Sequence, residues 1–219
     1  MKKALLILLI ISIASLSAFT FVGCKETKTE EFGILNENDP IVKIEFSTGD
    51  VVNVELYKDT APISVENFLK YVDEGFYEGT MFHRIIKDFM VQTGGFVKGE
   101  DGYLHEKKAT HPAIYGEFSA NGCTYNNVDH LKGVISMARS SENSATTQFF
   151  FCTVDNYPTL NGNYAAFGRV IDEQSMNVIY KFDTIPTTTT IAFYGDHAML
   201  NTDTPTQIIT IKKITVIKR

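Results

Sequence analysis

The chain has 219 residues, 44% hydrophobic and 21% charged, with 20 Lys and Arg against 26 Asp and Glu for a net charge of −6. These proportions exclude wholesale disorder, and the length fits one domain plus a leader or tail. The acidic balance excludes a basic footprint for nucleic acid, and three cysteines are too few for a disulfide scaffold.

Met1-Lys2-Lys3 leads into an almost wholly apolar run from Ala4 to Phe21, closed by Phe21-Val22-Gly23-Cys24 before the chain turns polar. A basic start, an apolar middle and a small residue before a break describe a secretory signal peptide over residues 1–23. An uncleaved anchor is the alternative, since about 18 apolar residues just suffice to span a bilayer. The Gly23-Cys24 boundary resembles the lipobox of bacterial lipoproteins, with Phe21 in place of the usual Leu. That resemblance implies lipid attachment at Cys24, cleavage just before it, and a location on the extracytoplasmic face of a cell membrane. Residues 24–39 have few apolar side chains and no sustained period, which predicts a flexible tether, with a folded domain over 40–219.

Ile41 to Phe46 and Val51 to Leu56 flank a Thr48-Gly49-Asp50 turn and predict a β-hairpin. Pro62 to Glu74 predicts a helix with Ile63, Val65, Phe68, Leu69 and Val72 on its apolar side, stopped at Gly75. Short apolar runs then predict strands at Met81–Ile86, Phe89–Thr93, Val134–Ala138, Gln148–Thr153 and Ala165–Ile171. A second helix fits Glu173–Phe182, and Ile208–Ile217 closes the series as a strand. Gly99–His111 and Thr187–Thr206 read as surface excursions, the second opening with four consecutive threonines. Many strands with two helices suggest a helix-capped barrel, although periodicity alone leaves a sandwich open.

In Met81-Phe82-His83-Arg84-Ile85-Ile86-Lys87-Asp88-Phe89-Met90-Val91-Gln92-Thr93, alternation lets Arg84, Ile86, Met90 and Gln92 share one surface. The alternative for this segment by itself is an ordinary hairpin whose arginine pairs with a carboxylate. His83, beside Arg84, should point the other way and reads as a packed structural histidine. The five histidines are scattered without metal-ligand spacing, so neither a metal nor a cofactor is implied. Gly94-Gly95 reads as a turn. Cys152 reads as a buried thiol, with pairing to Cys123 left open.

Three further blocks follow: Gly133-Val134-Ile135-Ser136-Met137-Ala138-Arg139, Thr147-Gln148-Phe149-Phe150-Phe151-Cys152-Thr153, and Leu160-Asn161-Gly162-Asn163-Tyr164-Ala165-Ala166-Phe167-Gly168-Arg169-Val170. In order and spacing the four blocks resemble the cyclophilin family of peptidyl-prolyl cis–trans isomerases, from about Val42 to Val216. The resemblance implies a mostly β fold: a closed antiparallel eight-stranded barrel capped by two α-helices. It implies catalytic roles for Arg84 and Gln92, and substrate-binding roles for Phe89, Met90, Ala138, Arg139, Gln148, Phe150, Leu160 and Tyr164. Arg139 departs from the family's usual Asn, and Tyr164 stands where many members have His.

Thr159 replaces a Trp associated with cyclosporin binding, which implies weak cyclosporin affinity. The implied partners are proline-containing peptides and unfolded exported proteins, with no nucleic acid. A proline-peptide scaffold or chaperone module with little turnover is the alternative function. A solute-binding lipoprotein is a third reading, against which the chain lacks the usual two-lobed length.

Overall fold

The computed structural model describes residues 32–219. The expected leader 1–23, the lipidation residue Cys24 and the first part of the expected tether lie outside the described residues. The compact unit starts at Phe32, ahead of the expected boundary at residue 40. Buried Glu55 explains this, because its carboxylate accepts hydrogen bonds from the backbone N–H groups of Leu35 (2.8 Å) and Asn36 (2.8 Å). Phe32 packs against the main core, and Arg169 Nη2 donates to the Gly33 carbonyl at 2.7 Å. Residues 32–39 are thus laid on the domain.

Strands β1 (Ile41–Phe46) and β2 (Val51–Leu56) form the expected hairpin, with Ile44 opposite Val52. Gly49 takes φ +85° in the turn, a conformation that L side chains adopt at a cost. Helix α1 (Pro62–Asp73) begins on the predicted proline. Its buried side differs from the predicted stripe: Ser64 and Asn67 go inside, while Ile63 and Leu69 stay half-buried. Both polar residues are satisfied there, Ser64 by Glu117 and Asn67 by the Thr146 carbonyl at 2.6 Å. A partnered polar group carries little burial penalty, so the helix turns that way.

β3 (Arg84–Ile86) and β4 (Met90–Thr93) follow, then β5 (Phe96–Lys98) and β6 (Leu104–Glu106). β7 (Val134–Met137), β8 (Phe149–Cys152), the one-turn helix α2 (Tyr157–Leu160) and β9 (Ala166–Val170) come next. Helix α3 (Glu173–Asp183) starts at an Asp172 cap, whose carboxylate accepts from Ser175 N–H at 2.6 Å. The chain ends in β10 (Thr187–Tyr194), β11 (His197–Pro205) and β12 (Ile211–Lys218).

Eight strands form one antiparallel sheet in the order β12-β1-β2-β9-β7-β8-β4-β3. Val65 and Phe68 of α1 and Met176 and Ile179 of α3 share a single buried core with the strands' inward residues. The mostly β architecture is as expected, but the barrel is open. End strands β3 and β12 share no ladder. Their approaches meet through a Met81–Thr210 bridge, with Phe82 N–H donating to the Ile209 carbonyl and Ile211 N–H to that of Thr80. β3 is too short for a second ladder, because the chain before it also reaches sideways: Met81 N–H donates to the Phe96 carbonyl.

The two expected surface excursions are corrected as well. They pair with one another in a second sheet of order β11-β10-β6-β5, in which β10 runs parallel to β6 with Ala192 opposite Leu104. The first three threonines of β10 are exposed, and the strand is held instead by its ladders and by Ala192, buried against Met81, Phe96 and Leu104.

Candidate active site

The β3–β4 hairpin sets Arg84 directly opposite Gln92 and Ile86 opposite Met90, joined by a turn with Asp88 at φ +57°. Opposed residues on an antiparallel pair project to the same face, so the guanidinium and the amide enter one space. β4 lies next to β8, where Gln92 faces Phe150. The pair Ser136–Phe150 continues the row onto β7, and α2 brings up Leu160. The result is a cavity of about 290 Å³ bordered by all ten residues singled out in the sequence: Arg84, Gln92, Phe89, Met90, Ala138, Arg139, Gln148, Phe150, Leu160 and Tyr164.

Its floor is apolar. Met90, Phe150, Cys152 and Leu160 form a buried cluster separate from the main core, with Ile86, Phe89, Ala138 and Tyr164 packed on it. Phe150 meets Tyr164 edge to face at 5.7 Å. One wall is polar: Gln92 Nε2 donates to Gln148 Oε1 at 2.9 Å. Gln148 is in turn laid over Gly95, where a Cβ would fall 2.3 Å from its Cγ. The Gly94-Gly95 bend, with Gly94 at φ +87°, therefore holds the amide wall in place. Ala138 N–H is spent on the Gln148 carbonyl at 2.9 Å, so a backbone contact from Ala138 to a ligand has to come from its carbonyl oxygen.

Arg139 closes the rim. Its guanidinium is sandwiched 4.7 Å from the Phe118 ring and 4.8 Å from the Tyr164 ring, while Nε donates to the Asn163 carbonyl at 2.8 Å. The side chain is a strut that props the Tyr164 wall.

Arg84 does meet a carboxylate, as the ordinary-hairpin alternative supposed, yet it also borders the cavity. Its Nε lies 3.4 Å from Asp203 Oδ2, and both side chains are partly exposed. This partner is not among the residues singled out in the sequence, and neither are Tyr194 and Asn201, which also line the cavity. All three come from the second sheet. Behind Phe150 lies a further unforeseen group: His130 stacks on that ring, with Nε2 3.0 Å from Ser136 Oγ and Nδ1 3.1 Å from Asn161 Oδ1. Cys123 and Cys152 are both buried and free, and burial pushes the Cys152 thiol up to about 12.

His83 is buried with its ring 4.6 Å from that of Phe96, although it touches the cavity's edge. Burial, reinforced by the Arg84 charge, pushes its pKa down to about 4. Tyr194 is shifted the other way, chiefly by burial. Catalysis that uses a permanently charged arginine should therefore give a kcat/KM that is flat between about pH 6 and 9. A bell-shaped profile centred in that window would point to acid–base chemistry instead. Stability should behave differently. Above about pH 6.5 His83 is neutral folded and unfolded and contributes nothing. As pH falls towards 4 the unfolded chain takes up a proton that the folded chain refuses. By pH 5 this costs about 2 kcal/mol, read as a drop in urea midpoint. His130, held below its ordinary value by burial, adds in the same direction.

Residues 41–216 match the family described as "Cyclophilin type peptidyl-prolyl cis-trans isomerase/CLD". A peptidyl-prolyl cis-trans isomerase of Acinetobacter baylyi is 37% identical over 177 residues, 78% of this chain and 84% of that protein. Peptidyl-prolyl cis-trans isomerase A of Dickeya dadantii is 38% identical over 185 residues, 81% of this chain and 83% of that protein. A crystal structure of a cyclophilin-type peptidyl-prolyl cis-trans isomerase from Cryptosporidium parvum, in the presence of the dipeptide Ala-Pro, superposes with a TM-score of 0.61. It is 25% identical, and the match covers 82% of this chain and 99% of that one.

Proposed function

Because the chain belongs to the cyclophilin-type peptidyl-prolyl cis–trans isomerase family, we propose that Arg84 stabilises the twisted prolyl amide in the cavity and that the clients are exported proteins. A single observation carries the assignment: a charged guanidinium borders the same hollow as the apolar cluster of Met90, Phe150 and Leu160.

Rotation about an amide faces a barrier of about 18–20 kcal/mol, set by resonance. For X–Pro the two isomers differ by only about 0.5–1 kcal/mol, so exchange is slow although nearly balanced. No bond is made or broken. At the top of the barrier the prolyl nitrogen becomes pyramidal and regains its lone pair. A donor aimed at that lone pair interacts with the twisted amide and not with either planar isomer, which is the condition for accelerating the step. The apolar floor grips the proline ring and excludes water. Gln92 and Gln148, fixed on each other, offer amide groups to the flanking peptide. Phe89, Ala138, Arg139 and Tyr164 complete the walls.

The test is an NMR exchange measurement on Ala-Pro peptides, the dipeptide crystallised with the Cryptosporidium protein. Turnover is the expected result; binding without accelerated exchange would turn the domain into a proline-peptide scaffold. Weak cyclosporin affinity belongs to the same reading, since exposed Thr159 offers no ring next to Leu160.

The clients are proposed from the first residues of the chain, Met1 to Cys24, through which the domain would be lipid-tethered to the extracytoplasmic face of a cell membrane. Cys24→Ala is expected to release the protein or leave it unprocessed. Unchanged membrane retention and unchanged mass would overturn that location.

A further inference from the structure

The β10–β11 hairpin is fastened to the segment carrying Arg84 at several points. Asn201 Nδ2 donates to the carbonyl of His83, the residue before Arg84, at 2.6 Å. Tyr194 meets Phe96 edge to face at 5.0 Å, and Ala192 is buried with Met81, Phe96 and Leu104. Tyr194 and Asn201 border the cavity. The hairpin is therefore a wall of the site.

That wall contains an irregularity at the decisive place. Thr188 pairs with Thr204 and Thr190 with Asn201, so Thr202 and Asp203 together stand opposite Thr189. Such a bulge re-aims side chains, and bulges are common beside active sites. Residues three apart on an unbroken strand face opposite sides, yet Asn201 Nδ2 reaches Thr204 Oγ1 at 2.7 Å. The same irregularity brings Asp203 Oδ2 to Arg84 Nε.

Resting on the role given to Arg84 above, we propose that Asp203 is a positioning residue of the isomerase, holding Nε so that the two terminal guanidinium nitrogens remain as donors to the prolyl nitrogen. Arginine has a long side chain with several rotatable bonds, and this one is part-exposed on a three-residue strand. Fixing the strand end and Nε fixes the plane of the fork. Because the pair is exposed it adds little to stability; what it supplies is geometry, and misplaced donors are costly in rate. At 3.4 Å the contact is long for a hydrogen bond, which suits a carboxylate that orients Nε rather than one that binds it tightly.

The experiment measures kcat and KM on an Ala-Pro peptide for the parent, Asp203→Ala, Asp203→Asn, Arg84→Ala and the Arg84→Ala/Asp203→Ala double variant. The Arg84 Nε–H resonance and the thermal midpoint are recorded alongside. Asp203→Ala should lower kcat roughly tenfold with KM within about twofold, shift or broaden the Nε–H resonance, and leave the midpoint in place. Asp203→Asn, which keeps an acceptor oxygen, should recover most of the rate. In the Arg84→Ala background, loss of Asp203 should have no further effect. An unchanged rate in Asp203→Ala, or an equal fall in both backgrounds, overturns the inference by itself. An intact rate in Arg84→Ala overturns the underlying role of Arg84, and this inference falls with it.

Discussion

Arg84→Ala is expected to lower kcat/KM for an Ala-Pro peptide by about 10²–10³-fold, the usual cost of deleting one preorganised donor to a transition state. The fall should appear mainly in kcat, because the guanidinium has no lone pair to meet in either planar isomer. Stability should barely move. The side chain is 41% exposed, its ion pair with Asp203 is partly solvated, and such pairs contribute about 0–1 kcal/mol. Arg84→Lys should rescue little, since a point charge on a flexible stem lacks the planar fork. Measurement by NMR exchange at saturating peptide, with a urea titration alongside, separates rate from folding. Turnover at the parent level in Arg84→Ala would remove the guanidinium from the mechanism and leave only the apolar grip of Met90, Phe150 and Leu160.

The cavity was legible in the sequence because strand alternation and block order carry it. Arg84 and Ile86 on one arm of a hairpin, and Met90 and Gln92 on the other, fall at spacings of two, and β4–β8 pairing extends the row to Phe150. Helices α1 and α3 were legible from their apolar periods, with Pro62 as a start signal in α1; the Asp172 cap of α3 emerges only in the structure. What escaped depends on partners distant in sequence. β10 has a single buried residue, Ala192, so no alternation marks it as a strand. Its pairing with β6 joins residues about ninety positions apart, which no local pattern encodes. Asp203 could not be read for a further reason: its contact with Arg84 depends on a bulge, and register shifts are invisible to periodicity. The open edge between β3 and β12 likewise follows from where Met81 and Ile211 find backbone partners.

Glu117→Ala is expected to be the opposite kind of variant, one that loses stability and keeps its rate. Helix α1 has Ala61 at its N-cap, with no side chain to satisfy the first N–H groups. Glu117, fully buried and more than fifty residues away, takes over that task. Its carboxylate accepts from Ile63 N–H (3.0 Å), Ser64 N–H (2.7 Å) and Ser64 Oγ (2.6 Å). A negative charge at a helix N-terminus also meets the positive end of the helix dipole. Truncation takes their acceptor from the buried Ser64 N–H and hydroxyl and from the part-buried Ile63 N–H and Tyr125 hydroxyl, at a cost of about 3 kcal/mol. For a domain of this size that is a fall in Tm of about 6–12 °C. Glu117→Gln, which keeps one acceptor oxygen, should lie between the two. Phe118, the ring under Arg139, is itself packed in the main core, so the cavity rim keeps a support that does not depend on the carboxylate. Per folded molecule, kcat/KM of Glu117→Ala should therefore stay within about threefold of the parent, in contrast to the Arg84→Ala loss. A Tm unchanged in Glu117→Ala would show that water reaches the first turn of α1 and that the buried carboxylate is not what holds it.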